Sequence, residues 1–393
     1  MINIVRLSLN RTWKKLTLKQ AMVLFILSFV FINEYVVYVI QEWRWAKVRP
    51  LRHSEDEVRL LLVGDPQIQG YNGEPPTIIG SITRWDSDRY LRSTFRQASN
   101  YVKPDAVLFL GDLIDEGSQA QDEHYSEYVD RFKEIFKSPT NVENIYVSGD
   151  NDVGGEGGDF KTKVKVQRYE KYFGNSVAVQ KVKFLDFIKA DYDFITSWND
   201  TADKAKHLVK LLSGRFRIIL NHHGILERFK RELYPRSEWR KGMKYKYKDK
   251  WISQPIVKMF SPNFIFSAHL HLPTIHICTD CTELDKEKYQ WEGNTLTDVP
   301  DQIKFDLNSP NLVEIIQPTC SYRMGVPEMA YGVAVIDKNG ALEYTLLWLP
   351  SRYIQLYLYL ALTICVIVVV LFKLCISKIW PNSRKQTFYG RTP

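Results

Sequence analysis

Two long apolar segments near the ends of the chain constrain its architecture more than any other feature. One covers residues 21–40 and the other covers residues 353–376. Each is close to the ~20 apolar residues that a helix needs to cross a bilayer. The first is too long for a signal-peptide core, and no small-x-small cleavage site follows it. The sequence therefore predicts two transmembrane helices, although Glu34 lies in the first, where an ionisable group is costly.

The distribution of basic residues predicts how these two helices are oriented. Positive charges accumulate on the cytosolic side of a membrane. The C-terminal tail carries Lys378, Arg384, Lys385 and Arg391, whereas only Arg352 immediately precedes the second segment. We therefore expect cytosolic tails at residues 1–20 and 377–393, a linker at residues 41–57, and a lumenal or extracellular domain at residues 58–349.

Two further features agree with an oxidising compartment for the central domain. Asn199-Asp-Thr201 is a glycosylation acceptor sequence, which is usable only in the lumen. Cys278 and Cys281 form a C-x-x-C pair that suits a disulfide, whereas a zinc site at this pair would need two more ligands.

The chain has a formal net charge of +8 over 393 residues, and the excess is uneven. It is concentrated in the tails, in Arg44–Arg52 and in Arg228–Lys250. The last segment also contains aromatic residues. It suits either a surface that binds an anionic glycan or lipid headgroups, or a solvent-exposed loop without a binding role. Because no nucleic-acid-binding motif accompanies this charge, we expect a membrane or an anionic substrate as partner and no nucleic acid.

Between the two apolar segments, short apolar runs alternate with segments of helical periodicity, which predicts an α/β domain. The sequence Lys338-Asn-Gly340 predicts a hairpin between two late strands. Helices are predicted over residues 88–102, 123–136 and 203–212. Strands are predicted over residues 58–64, 106–111, 144–147, 217–220, 264–266, 311–316, 330–337 and 341–349.

Residues of metal-binding types follow five of these predicted strands directly. In α/β folds, sites lie just beyond the carboxyl ends of the strands, where the backbone is rigid and loops converge. A single Asp after a strand is usually a turn or cap residue, but residues of metal-binding types after five strands together indicate a metal site. These residues are Asp65, Asp112, Asp150, His222, and the pair His269 and His271.

These residues belong to five motifs, which are Asp65-Pro-Gln67, Gly111-Asp112, Gly149-Asp-Asn-Asp152, His222-His223 and Ala268-His-Leu-His271. The set resembles the signature of calcineurin-like metallophosphoesterases, in which D-x-H, G-D, G-N-H-D/E, H and G-H-x-H follow one another. The resemblance implies an αββα sandwich, here flanked by the two transmembrane helices. It also implies a metal-dependent phosphoric ester hydrolase, with a phosphodiesterase favoured over a monoesterase.

The same resemblance implies a site for two divalent metal ions, with Mn²⁺ expected and Fe or Zn as alternatives. Asp112 would bridge the two ions. Two ions about 3.5–4 Å apart lower the pKa of water and stabilise the attacking and leaving oxygens. Mixed oxygen and nitrogen ligation suits Mn, Fe or Zn better than calcium. The remaining ligands would be Asp65, Gln67 and His271 on one side, and Asp150, His222 and His269 on the other.

Four positions depart from the family pattern. Gln67 replaces a His, which favours harder metals, and Asp150 replaces a neutral Asn, which adds a negative charge. Ala268 replaces a Gly. Asn151 is a candidate catalytic residue, and it replaces the His that usually protonates the leaving group or stabilises the transition state. General acid–base catalysis contributes a factor of ~10²–10⁴ in rate, so the loss of this His predicts either a slow enzyme or a protein that binds its ligand without catalysis.

Three other residues are candidates for contact with the reacting groups. His223 and Asp152 are candidate catalytic residues that could replace the His missing at position 151, although an Asp at position 152 often caps a loop. Arg323, in Tyr322-Arg-Met-Gly325, is a candidate contact for the substrate phosphate, with a structural turn as the alternative.

Two further stretches narrow the resemblance. Leu110–Gly117 and Asp88–Arg92 are similar to a membrane-bound subfamily, that of metallophosphoesterase 1 and the phosphodiesterases that remodel GPI-anchor glycans. This implies removal of ethanolamine phosphate from the mannose of a GPI glycolipid or GPI-anchored protein, in the endoplasmic reticulum or Golgi. Two alternatives stay open, a lumenal receptor or adaptor with little or no catalysis, and a phosphomonoesterase.

Overall fold

Two β-sheets packed face to face form the centre of the chain, in a computed structural model that describes residues 17–47, 56–196, 198–226, 244–246, 254–279, 290–295 and 302–379. Most of both tails, most of the basic segment Arg228–Lys250, and Cys281 lie outside these described residues. The predictions made for them remain predictions.

The first sheet has six strands and the second has eight. In the first, β1, β2 and β3 are parallel, while β13 lies antiparallel to both β1 and β14. The strand orders are β11-β14-β13-β1-β2-β3 and β4-β5-β6-β8-β12-β9-β10-β7. The strands are β1 (Glu57–Val63), β2 (Ala106–Leu110), β3 (Glu143–Val147), β4 (Ala178–Val182), β5 (Leu185–Lys189), β6 (Phe216–Leu220), β7 (Lys244–Lys246), β8 (Phe264–Ser267), β9 (Thr274–Thr279), β10 (Gln290–Thr295), β11 (Ile303–Asp306), β12 (Leu312–Ile316), β13 (Ala330–Asp337) and β14 (Ala341–Trp348).

Helices cover the outer faces of this pair of sheets and extend at both ends of the chain. A π-helical turn, Ile32–Val36, joins the first two helices, and a 3₁₀ turn covers Tyr322–Met324. The α-helices are α1 (Leu18–Phe31), α2 (Val37–Trp43), α3 (Ile78–Val102), α4 (Asp122–Ile135), α5 (Asp150–Val153), α6 (Lys163–Phe173), α7 (Tyr192–Thr196), α8 (Trp198–Val209), α9 (Gln254–Phe260) and α10 (Arg352–Ile379).

The core lies mainly between the two sheets. Side chains alternate along a strand, so Leu60 and Leu62 of β1 pack toward Phe187 and Ile218 of the second sheet. Phe109 of β2 faces the other way and contacts Phe132 and Phe136, with ring centroids 5.3 and 5.5 Å apart. Because both faces of the inner strands are buried, they read as continuous apolar runs. This arrangement confirms the predicted αββα fold class.

The main difference from the predicted elements concerns α3. The helix begins at Ile78 and is capped by the Thr77 hydroxyl, which accepts a hydrogen bond from the Ile79 amide. The sequence predicted its start ten residues later, at Asp88. The early turns expose apolar side chains, so they lack the core-facing periodicity on which that prediction rested. Strands β4, β5, β7, β9, β10 and β11 were not predicted, whereas the hairpin at Lys338–Gly340 is confirmed.

Two helical stretches, Lys19–Trp43 and Arg352–Ile376, are long and apolar enough to cross a membrane. The chain divides into two units, residues 1–350, which contain the first stretch and both sheets, and residues 351–393, which contain the second. Cys278 is disulfide-bonded, as the C-x-x-C prediction requires of it, and the described cysteines Cys320, Cys365 and Cys375 are free thiols.

Candidate metal centre

The fold brings all seven predicted metal-binding residues to one edge of the two sheets. Asp65 and Gln67 follow β1, Asp112 follows β2, and Asp150 opens α5 just after β3. His222 follows β6, and His269 and His271 follow β8 of the second sheet. The two sheets therefore contribute carboxylates from one side and imidazoles from the other, which meet beyond their carboxyl ends.

Five of these residues have backbone conformations that L-residues seldom adopt. Their φ angles are positive, between 37° and 71°. Such conformations cost roughly 1–3 kcal/mol each and persist where the surrounding structure enforces them, most often at functional sites. The sharp turn at each strand end redirects the next side chain into the site. The five residues are Asp65, Gln67, Asp112, His269 and His271.

His222 and Asp112 lie at the middle of the cluster. The Nε2 atom of His222 is 3.4 Å from an oxygen of Asp112, 3.4 Å from one of Asp150 and 4.0 Å from one of Asp65. Two groups of three residues have ligand atoms that all lie within 4.8 Å of one another, and His222 belongs to both. The groups are Asp65, Asp112 and His222, and Asp150, His222 and His269.

The remaining predicted ligands flank this centre. His271 Nε2 is 3.7 Å from an Asp65 oxygen, and His269 Nδ1 is 3.7 Å from an Asp150 oxygen. The Gln67 amide nitrogen donates to Asp112 Oδ2 at 2.9 Å. Ligation through the Gln67 oxygen therefore requires the opposite orientation of its amide group.

The orientation of His222 is set by the strand beside it. Its Nδ1 atom lies 2.8 Å from the carbonyl oxygen of Leu110, which can only accept a hydrogen bond. A proton is thus held on Nδ1, and Nε2 is the ring nitrogen that faces the carboxylates. Gly111 makes this approach possible, because a Cβ there would lie 2.4 Å from His222 Nδ1 and its φ is +94°.

The electrostatics of the cluster fit divalent cations. Asp65, Asp112 and Asp150 are buried within a few ångströms of one another, and Asp150 Oδ2 has no hydrogen-bond partner among the described residues. Burial raises the pKa of Asp65 well above its usual value. Burial opposes the charged form of His222, but the three carboxylates outweigh it and raise its pKa well above the usual value. Bound metal ions would supply the positive charge that this cluster needs.

The three predicted catalytic residues occupy different positions. Asn151 lines the cavity over the site, and its backbone amide donates to Asp112. His223 Nε2 lies 2.9 Å from an oxygen of Asp150, and its ring is 4.2 Å from that of His269. Asp152 is fully buried and accepts hydrogen bonds from the amides of Leu113, Ile114 and Gly149. This position favours a loop-holding role for Asp152 over direct catalysis.

Arg323, the predicted phosphate contact, forms an ion pair with Glu74. Glu74 also accepts a hydrogen bond from Gln69, two residues after Gln67. Arg323 therefore lies at the rim of the site, and a carboxylate already compensates its charge. Near the same rim, burial and the neighbouring carboxylate of Glu116 raise the pKa of Asp115 to about 6.

A cavity of about 410 Å³ opens over the cluster. Glu156, which lies in the wall of this cavity, was not predicted as a site residue. The glycines on either side of Glu156 allow many backbone conformations, so the sequence does not show which side chain this loop presents to the site. Described residues lining the cavity are Gln67, Asp112, Asn151, Glu156, His269, Leu270 and His271.

A partly buried ion pair and several hydrogen bonds hold the loops that carry these residues. Arg131 pairs with Asp88 through two hydrogen bonds of 2.9 and 3.0 Å and donates a third to the carbonyl of Gln69. Glu314 is fully buried and accepts hydrogen bonds from the amides of Ile225 and Leu226, just after His223. These contacts position the loops after β1 and β6.

Comparison with known proteins agrees with this geometry. Over 161 residues the chain is 30% identical to metallophosphoesterase 1 homolog of Drosophila melanogaster, which covers 39% of this chain and 41% of that protein. It is 30% identical over 140 residues to cell division control protein 1 of Saccharomyces cerevisiae, a match that covers 35% of this chain and 28% of that protein. It is 28% identical over 170 residues to metallophosphoesterase 1 of Mus musculus, a match that covers 42% of this chain and 40% of that protein. The matches thus span less than half the length of these relatives.

The pattern of the calcineurin-like phosphoesterase family matches residues 58–307, well over half of the chain. The matched region contains every residue of the cluster described above. By this match and by the meeting of its motifs at one sheet edge, the chain belongs to the calcineurin-like phosphoesterases.

Proposed function

We propose that this chain is a membrane-anchored phosphodiesterase that uses two Mn²⁺ ions to remove ethanolamine phosphate from the mannose of GPI glycans. The catalytic domain would be lumenal, in the endoplasmic reticulum or Golgi, with both termini cytosolic. The observation that carries the enzymatic part is the meeting of seven ligand-type residues around Asp112 and His222. The substrate rests on similarity to metallophosphoesterase 1, and the anchoring rests on the two apolar helical stretches.

Each part of the cluster has a chemical task in this proposal. Asp65, Asp112 and Asp150 provide the negative charge that holds two divalent cations, which supply charge neutralisation and an activated water when bound. His222, fixed by Leu110, presents one defined nitrogen. His223, beside Asp150 but not fully buried, is the group that donates a proton to the leaving oxygen in place of a His at position 151.

A second function is favoured by one specific observation. Asn151 lines the cavity where the family pattern has a His, and an amide cannot act as a general acid. A receptor that binds metal and phosphoester without hydrolysis would be compatible with this. Against it, the cluster retains three buried carboxylates, which are costly to keep without a function.

Substrate choice by the purified full chain, loaded with Mn²⁺ in detergent, separates these hypotheses. The three substrates are a GPI mannolipid carrying ethanolamine phosphate, bis-p-nitrophenyl phosphate and p-nitrophenyl phosphate. We expect kcat/KM for the glycolipid to exceed that for the monoester at least about tenfold, because contacts with the distant glycan stabilise the transition state.

Two outcomes of this comparison would contradict the proposal. A preference for p-nitrophenyl phosphate over both diesters would identify a phosphomonoesterase. Metal binding and retention of the glycolipid without release of ethanolamine phosphate would identify a receptor.

A further inference from the structure

The first apolar helical stretch is attached to the catalytic domain along α3. Glu34, in the π-helical turn, forms an ion pair with Arg89 of α3. Further on, Gln97 of α3 donates hydrogen bonds to the Tyr38 carbonyl and to Glu42, at 2.8 and 2.9 Å. The order of these contacts shows that the stretch and α3 run side by side in the same direction.

Both helices extend past the sheet edge that carries the metal centre. Helix α3 runs from the loop after β1 back to the start of β2, so its first turns are at the site end. Its Tyr90 donates to the carbonyl of Pro350, just beyond the end of β14, which runs parallel to β1. The 12 residues before Tyr90 therefore lie on the site side of this contact and span about 18 Å along the helix axis, at 1.5 Å per residue.

The projecting turns of α3 carry an exposed apolar surface, the α3 stripe, which consists of Ile78, Ile79, Ile82 and Trp85. These side chains are 77%, 61%, 55% and 63% exposed. Three of them follow the i, i+4, i+7 spacing of one helix face, and Arg89 continues that face toward Glu34. Contiguous exposed apolar surface of this kind marks a contact with a membrane or a protein.

The length of α1 indicates which partner covers this stripe. The contacts just described begin at Glu34, and α1, which precedes it, has 14 residues. Fourteen residues span about 21 Å, whereas the hydrocarbon core is about 30 Å thick. If the site end of the domain enters the bilayer interface, it covers the difference between the length of α1 and the thickness of the hydrocarbon core. Trp85 suits that position because indole rings favour the headgroup region.

We infer that the α3 stripe inserts into the bilayer interface beside α1, so that the metal centre opens toward the membrane. The ion pair of Glu34 with Arg89 then neutralises both charges near the edge of the hydrocarbon. A site held in this way takes phosphoesters that stand close to the lipid surface. This inference rests on the membrane anchoring in the proposed function, but it does not depend on catalysis.

Spin labelling of the full chain tests the insertion. The exposed thiols are removed by Cys365→Ala and Cys375→Ala, while buried Cys320 and disulfide-bonded Cys278 are left in place. Nitroxides are attached at Ile82→Cys or, as control, at Leu211→Cys. Leu211 is 52% exposed and precedes β6, whereas His222 follows it, so the control lies at the opposite end of the sheet.

In phosphatidylcholine nanodiscs we expect oxygen to relax the label at position 82 several-fold more than a water-soluble nickel chelate does. At position 211 we expect the reverse order. Equal access of the nickel chelate to both positions would overturn the inference. So would exclusion of both reagents from position 82, because that result would mean that protein covers the stripe.

A kinetic arm separates this inference from the proposed activity. The double variant Ile79→Asp, Ile82→Asp should lose at least tenfold on phosphatidyl-p-nitrophenol in vesicles and retain its rate on soluble bis-p-nitrophenyl phosphate. Leu211→Asp should change neither rate. Equal losses of the double variant on both substrates would contradict the inference. If the wild type hydrolyses neither diester, the proposed activity fails while the spin labels still decide on insertion.

Discussion

At the residue scale, the substitution of Asn for His at position 151 is the feature that most affects rate. Asn151 lines the cavity, and its backbone amide is anchored to Asp112, so its side chain is held beside the cluster. We predict that Asn151→His raises kcat on bis-p-nitrophenyl phosphate by roughly 10–100-fold, part of the ~10²–10⁴ that general acid–base catalysis contributes. An unchanged kcat with unchanged metal content would show that another group already supplies the proton.

The candidate for that other group is His223. Because its Nε2 lies 2.9 Å from Asp150 Oδ1, we predict that His223→Gln lowers kcat about 100-fold and leaves the number of bound metal ions per chain unchanged. The matched control is His207→Gln, at an exposed helix position outside the site. Steady-state kinetics with metal analysis checks both variants. Loss of metal from His223→Gln would instead identify His223 as a ligand.

The identity of the clustered residues was predictable because each lies directly after a strand whose apolar run is visible in the sequence. Asp65, Asp112 and His222 required only a strand end and a metal-binding side chain. Glu156 was not predictable, because its loop has no periodicity that could orient it. The pairing of Arg323 with Glu74 was not predictable either, since the two residues lie 249 positions apart.

At the scale of elements, the turn between β3 and α5 holds the central carboxylate. A Cβ at Gly149 would lie 2.1 Å from Asp112 Oδ1 and 2.3 Å from its backbone nitrogen. We predict that Gly149→Ala displaces Asp112, weakens metal binding and costs roughly 1–3 kcal/mol of unfolding free energy, as overpacking usually does.

Denaturant unfolding and calorimetric metal titration check this prediction. Gly158→Ala is the matched control, because a Cβ there meets nothing within 4 Å. Equal metal affinity of the Gly149 and Gly158 variants would show that the turn tolerates the added methyl group without moving Asp112.

In the first sheet, β11 was not predicted, whereas β1, β2, β3, β13 and β14 were predicted to within a residue or two. The inner strands β1 and β2 are buried along nearly their whole length, and their sequences are almost continuously apolar. The start of α3 was not predicted correctly. Ile78, Ile82 and Trp85 face outward, so a rule that assigns apolar periodicity to a protein core cannot place them. The same exposure gives this element its inferred role at the membrane.

At the scale of the whole molecule, metal ions and folding are linked. Ligands that bind only the folded state stabilise it, by about 2.7 kcal/mol at a concentration 100 times Kd. We predict that EDTA lowers the unfolding temperature of the full chain in detergent and that added Mn²⁺ restores it. The unfolding temperature of Asp112→Ala should not respond to either. A wild-type unfolding temperature that is insensitive to EDTA and Mn²⁺ would contradict metal occupancy.

The measurement that tests the central claim most directly is metal stoichiometry together with bis-p-nitrophenyl phosphate turnover of the full chain. Wild type is compared with Asp112→Ala and with Asp130→Ala, which removes an exposed carboxylate from α4. The account predicts two metal ions per chain and turnover in the wild type and in Asp130→Ala, and loss of both in Asp112→Ala. One metal ion or none in the wild type, with no turnover under Mn²⁺, would contradict it.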